Sequence, residues 1–186
     1  MLIQIRGTSG SGKTWIINSL RSKYDFKPIK KNGLIMGYYS KELNTFLVGK
    51  YETACGGCDS IKTQDETCNR IRKGLSKGWN VIFEGLICSH ISKRYADLYK
   101  ELTDNGKRVE FIFLNTSLEK CRENINKRRA LAGKEPTTAK NTEKDYTSTR
   151  KSRKNMNSMG VPNSDMPIMS SEKALAHILE VLNEES

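Results

Sequence analysis

The chain has 186 residues, 36% of them hydrophobic, and a formal net charge of +11. That length suits one α/β domain with a sizeable core, and no apolar run approaches the ~20 residues of a membrane-spanning helix. Five cysteines, an odd number, and a first strand starting at Met1 without a signal-peptide pattern point to a reduced, cytoplasmic setting and no membrane partner.

Leu2-Ile3-Gln4-Ile5 is a short apolar run suited to a buried strand. Behind it, Gly7-Thr8-Ser9-Gly10-Ser11-Gly12-Lys13-Thr14 matches the phosphate-binding pattern G-x-x-x-x-G-K-[ST] in full. Trp15 to Leu20 continues with apolar residues at helical spacing, so a helix over 12–23 is expected. Strand, glycine loop and helix together let backbone N–H groups turn in around phosphate oxygens. The pattern assigns residues 7–14 to ATP, with Lys13 reaching the β- and γ-phosphates and the Thr14 hydroxyl on Mg²⁺.

Residues 34–39 and 45–51 read as strands joined by a turn at 41–44, an inserted hairpin after the first helix. Residues 53–61 are rich in small side chains and read as loop. Thr63 and Glu66 have capping-box spacing for a helix burying Cys68, Ile71 and Leu75. Residues 80–84 form a central strand, and Ile91, Tyr95, Leu98, Tyr99 and Leu102 share one helical face. A strand at 108–114 precedes a second capping box, Thr116 to Glu119, opening a helix with Leu118, Cys121 and Ile125 inward. Residues 130–165 are polar and basic and read as a lid or a partly ordered arm. Met166 to Met169 is a weak last strand, and 170–183 an amphipathic closing helix. Alternating strands and helices over residues 1–186 predict one α/β domain of three layers. Its central sheet is mostly parallel, and a basic helical lid covers about 117–160.

Several residues are candidates for chemistry. Glu84 ends a buried strand near the phosphate loop, where a carboxylate holds Mg²⁺ or its water; a solvated strand-end acid is the plainer reading. Asp59 follows Gly56-Gly57 on a loop, placed to orient an acceptor hydroxyl and take its proton, or simply to cap a turn. Asp65 is a weaker candidate for the same task, since acids are common in a first helical turn. Cys55 and Cys58 form one C-x-x-C without a second, which fits two small thiols in a substrate loop better than zinc. Arg128 and Arg129 end the helix after the fourth predicted strand, and Arg122 lies two turns before. Such lid arginines neutralise a transferred phosphoryl group, or complement the helix dipole. Residues 117–154 carry twelve Lys or Arg against five Asp or Glu. The excess suggests a polyanionic partner, although a lid closing on triphosphate is also basic. Arg150, Lys151, Arg153 and Lys154 are the candidate DNA contacts.

The phosphate loop, the strand ending in Glu84-Gly85 and the Thr116–Arg129 helix resemble the small P-loop kinases of the polynucleotide, nucleoside and nucleoside-monophosphate group. Val48-Gly49-Lys50-Tyr51-Glu52, followed by Gly56-Gly57-Cys58-Asp59, is similar to bacteriophage 5-hydroxymethyl-deoxyuridine DNA kinases. Nucleoside kinases carry Glu-Arg-Ser where Glu84-Gly85-Leu86 stands, and nucleoside-monophosphate kinases an Asp-Gly-Tyr/Phe-Pro-Arg segment lacking here. The resemblance implies an ATP- and Mg²⁺-dependent kinase acting on the hydroxymethyl group of 5-hydroxymethyluracil in DNA, in the cytoplasm of a phage's host. A polynucleotide 5′-hydroxyl kinase, a nucleoside or nucleotide kinase, and a non-kinase module that binds nucleic acid under ATP control remain the alternatives.

Overall fold

The structure is a computed structural model that describes residues 1–52 and 56–184. One seven-stranded sheet runs in the order β2-β3-β4-β5-β1-β6-β7. Its elements are β1 (Leu2–Arg6), β2 (Lys27–Lys31), β3 (Leu34–Ser40), β4 (Thr45–Val48), β5 (Asn80–Glu84), β6 (Val109–Leu114) and β7 (Ile168–Met169). The pairs from β4 to β7 are all parallel, and β2 and β3 extend the β4 edge as antiparallel strands. The expected β3–β4 hairpin is present, with Gly37 opposite Val48 and Ser40 opposite Thr45. β4 also joins the parallel sheet beside β5, because its four residues are all buried.

Helices cover both faces: α1 (Lys13–Lys23), α2 (Gln64–Ser76), α3 (Leu86–His90), α4 (Lys93–Asp104), α5 (Leu118–Leu131), α6 (Ala139–Ser158) and α7 (Ser171–Glu184). Two apolar clusters result. One gathers Phe46, Phe83, Phe111, Ile71, Leu98 and Met156; the other gathers Ile3, Ile5, Ile16, Leu20, Ile112 and Ile178. β1, β5 and β6 are nearly continuous apolar runs because the sheet buries both their faces. Thr63 caps α2 by accepting from the Glu66 N–H, as its spacing predicts. The second capping box shifts by one residue. Ser117 is the cap, and the Thr116 hydroxyl instead donates to the Ser11 carbonyl at 2.8 Å.

The expected arm at 130–165 is largely α6, a 20-residue helix. Its buried face is Thr142, Thr149, Ser152 and Met156. The Thr149 hydroxyl donates back to the Asp145 carbonyl, and the single Ser152 hydroxyl proton is shared between the Thr149 and Ser89 carbonyls at 2.7 and 2.8 Å. Hydroxyls satisfied in this way let a polar helix face pack without an apolar stripe. Among the described residues, no helix is long and apolar enough to cross a membrane.

Candidate active site

The carboxyl ends of the parallel strands meet at a cavity of about 840 Å³, the expected place for a ligand in an open α/β sheet. The loop after β1 forms its floor. Gly12 caps α1 at φ 104°, a left-handed conformation that costs a glycine little. A Cβ on Gly10 would stand 2.4 Å from the Cys121 carbonyl oxygen, and one on Gly12 3.0 Å from Ser171. The loop is thus pressed between α5 and α7.

Lys13 is buried, and its ammonium donates to the Gly7 and Thr8 carbonyls at 2.7 and 3.0 Å. Burial lowers its pKa, while Glu84 and Asp59 act to raise it. The Ser11 hydroxyl is buried with no hydrogen-bond partner among the described residues. An unpaired hydroxyl, an ammonium held only by carbonyls and a helix N-terminus form a donor set that suits phosphate oxygens.

Thr14 donates to Glu84 Oε1 at 3.1 Å. Glu84 is 2% exposed, and burial pushes its pKa up to about 7 against the lowering influence of Lys13. Mg²⁺ takes one or two carboxylates together with water and substrate phosphates, so a hydroxyl facing a carboxylate fits it. Among the described residues no three His, Cys, Asp or Glu converge as a fuller metal cage.

Gly57 brings the 56–60 segment against the end of β5. At φ 71°, a Cβ there would stand 2.5 Å from Glu84 Oε1 and 2.6 Å from its carbonyl oxygen. Asp59 follows on the cavity wall, and both its oxygens are engaged. Oδ2 accepts from the Leu86 N–H at 2.7 Å and Oδ1 from the Ile87 N–H at 3.1 Å. Asp59 therefore caps the short α3, and each oxygen keeps a second lone pair. Asp65 pairs with Arg94 and does not line the cavity. Cys55 lies outside the described residues; Cys58 and Cys88 are buried thiols.

On α5 the structure sorts the predicted arginines. Arg128 lines the cavity together with Lys120 and Asn124, one face at four-residue spacing. Asn124 donates to the Gly10 carbonyl at 2.8 Å. Arg122 lies 3.6 Å from Glu143 of α6, and Arg129 donates to the Glu135 carbonyl, so both are turned to the α5–α6 connection. Lys120 and Asn124 are not among the predicted residues; the four-residue spacing back from Arg128 marks them only once that face of α5 is known to meet the phosphate loop.

Within the predicted DNA-contact cluster, Arg153 is set apart from the other three. Arg153 is half-buried, its Nε and Nη2 donating to the Met166 carbonyl at 3.0 and 2.9 Å. It ties α6 to the segment before β7. Arg150 lies over the Tyr146 ring, 4.3 Å from its centroid, and Lys151 and Lys154 are exposed.

Comparison with known proteins adds identity to this geometry. A protein 36% identical over 169 residues, the "5-hmdU DNA kinase" of Pseudomonas phage PaMx11, is matched over 87% of each chain. The "5-hmdU DNA kinase" of Bacillus phage SP10 is 30% identical over 132 residues, 69% of this chain and 21% of that protein. A solved deoxyadenosine kinase from M. mycoides with bound dATP superposes with a TM-score of 0.44 at 16% identity, covering 98% of this chain and 100% of that one. Residues 1–173 match the family model described as 5-hmdU DNA kinase, and the chain belongs to that family.

Proposed function

We propose that the protein transfers the γ-phosphoryl group of ATP to the hydroxymethyl oxygen of 5-hydroxymethyluracil in DNA. The observation that carries this reading is the opposition of two walls across one cavity. The Lys13–Thr14 end of the phosphate loop faces the Gly56–Asp59 segment, with Glu84 between them at the end of β5. Membership of a kinase family named for this substrate supports the acceptor. The relatives are phage proteins, which supports the cytoplasm of an infected host as the setting.

The loop amides, Ser11 and Lys13 hold the phosphates. Thr14 and Glu84 are the residues that would hold Mg²⁺, which would supply positive charge to the phosphates. Phosphoryl transfer needs positioning and charge more than covalent chemistry. Asp59 orients the acceptor hydroxyl through its remaining lone pairs, and Arg128 offsets charge on the transferred group. Trp15 and Ile87, 47% and 53% exposed at the cavity wall, offer apolar surface to a base. The 5-substituent of a pyrimidine lies in the major groove, but a deep cavity reaches it only once the base leaves the stack.

The test offers γ-labelled ATP and Mg²⁺ with hydroxymethyluracil DNA, unmodified DNA, 5′-hydroxyl oligonucleotides and free nucleosides in parallel. Label on the hydroxymethyluracil DNA alone is expected. Label at 5′ ends would make the protein an end kinase, and label on nucleosides alone would remove the DNA acceptor.

A further inference from the structure

The β2–β3 hairpin does not line the cavity, yet its tip stands at the same end of the sheet. β3 runs antiparallel to β4, so its first residues lie beyond the carboxyl end of β4. Gly37 pairs with Val48, and the Gly49 N–H reaches the Met36 carbonyl at 3.2 Å. Two or three more residues then project to the turn, an overhang of about 10 Å at ~3.4 Å per residue. β3 is three strands from β1, about 14 Å at the usual strand spacing. The bridge from Lys50 to Gly57 lies between.

The tip is tightly made. Asn32 and Gly33, at φ 49° and 76°, form a two-residue loop between the paired Lys31 and Leu34. That is the turn type that follows the twist of a hairpin. Its base is anchored, with Ile29 packed against one core cluster and Ile35 against the other. Beyond them Lys30, Lys31, Asn32, Gly33 and Leu34 are all exposed. Residues 23–34 hold four lysines and one acid, Asp25, which pairs with Lys27 at 3.3 Å. Edge-strand lysines also block strand addition. That role does not account for Leu34, which is 61% exposed at the tip of the same ribbon.

A two-stranded ribbon fits a groove of duplex DNA, cations at its edges meet backbone phosphates, and Leu is among the apolar side chains that groove-binding proteins wedge between base steps. We propose that this hairpin grips duplex DNA, Lys30 and Lys31 on the phosphates and Leu34 propping the stack where the target base has been extruded. The inference rests on the DNA-kinase reading above.

Two variants test it. In duplex DNA, Leu34→Ala is expected to lower kcat/KM for hydroxymethyluracil by about tenfold, which corresponds to about 1.4 kcal/mol. The same variant should lose much less on a single strand, or on a duplex whose target base faces an abasic site, because no stack needs opening there. A 2-aminopurine beside the target should brighten on binding to the unaltered protein and not to Leu34→Ala. Equal losses on duplex and single strand, or none on either, would overturn the wedge. Binding of unmodified duplex by the Lys30→Gln/Lys31→Gln double variant should show a slope of log K against log salt that is shallower by about 1.8. An unchanged slope overturns the grip. A protein inert on every hydroxymethyluracil substrate would sink the proposed function instead, and the salt slope would still judge the hairpin.

Discussion

At the base of the cavity a buried carboxylate and a buried ammonium pull in opposite directions. Burial pushes Glu84 up to about 7, well above its ordinary 4.5, and Lys13 down. Between those two pH values the folded chain holds a proton on Glu84 that the unfolded chain has released. Stability contributed there is present at low pH and falls as pH rises towards 7. A shift of that size corresponds to on the order of 3 kcal/mol. Glu84→Gln should therefore melt higher than the unaltered protein at pH 8 in EDTA, with the gain vanishing near pH 4. A gain independent of pH would show that the carboxylate carries no such cost. The same variant should need more Mg²⁺ for activity. Lys13→Ala should cut turnover by at least roughly 10²–10³, the usual worth of one positioned donor, while circular dichroism stays native. Near-normal turnover would remove the phosphate-loop mechanism. Asp59 has two tasks, and Asp59→Asn separates them. An amide can serve only one of the Leu86 and Ile87 N–H groups through its oxygen, so a loss of about 1 kcal/mol in stability is expected from the cap. If Asp59 also orients the acceptor, turnover of the folded variant drops by roughly 10² or more at unchanged ATP affinity. A lower melting temperature with turnover intact would leave it a cap alone.

Among the elements, α6 is joined to the end of β1, beside the phosphate loop, by Arg6. Its guanidinium is fully buried at the end of β1, beside Gly7. It donates to Gln4 Oε1 at 2.9 Å, to the Ser89 and Ile91 carbonyls at 2.9 and 2.8 Å, and to the Ser152 hydroxyl at 3.3 Å. The rings of Tyr95, Phe111 and Phe113 surround it at 5.3–5.8 Å, and burial pulls its pKa down to about 10. Arg6→Ala removes the guanidinium donor from the Ile91 carbonyl and leaves a hole among aromatic rings, so a loss of about 3–5 kcal/mol is expected. Urea unfolding measures it; a loss below 1 kcal/mol would mean that α6 docks without this residue. Arg6 was not legible as a hub, because a single cation in an apolar run gives no hint of three elements closing on it. The same limit explains the other misses. β1, β5 and β6 announce themselves as apolar runs, and the phosphate loop is local chain geometry. β2 reads Lys-Pro-Ile-Lys-Lys, with Ile29 alone to pack. α6 buries threonine and serine, which no hydrophobic period detects. α3 has five residues, too few for a period, so the partner that makes Asp59 a cap stayed hidden. The cavity face of α5 depends on which side meets Gly10, a tertiary fact.

Across the whole molecule, the sheet carries the phosphate loop, Glu84 and the Gly56–Asp59 segment to one end, while the net charge of +11 is spread over several elements. The cluster at 150–154 shows why a count of charges is not a binding surface. Arg153 is spent on the Met166 carbonyl and stacks 6.0 Å from the Phe113 ring centroid, whereas Lys151 and Lys154 face solvent on the same helix. A side chain that neutralises a DNA phosphate releases counterions, each adding about 0.9 to the salt slope on duplex DNA. A side chain that ties two segments together adds nothing to the slope and something to stability. Lys151→Gln/Lys154→Gln should therefore flatten the slope by up to about 1.8 and leave the melting temperature within a degree or two. Arg153→Gln should do the opposite, lowering the melting temperature while the slope holds, because the lost interaction is internal. Fluorescence anisotropy of labelled duplex at several salt concentrations, with a thermal melt of each variant, separates the two. Should Arg153→Gln flatten the slope as much as the lysine pair, the arginine reaches DNA in the complex and α6 must move to free it. Should the lysine pair leave DNA binding untouched and raise the KM for ATP, that stretch of α6 serves as a lid over the nucleotide and not as a track for the strand.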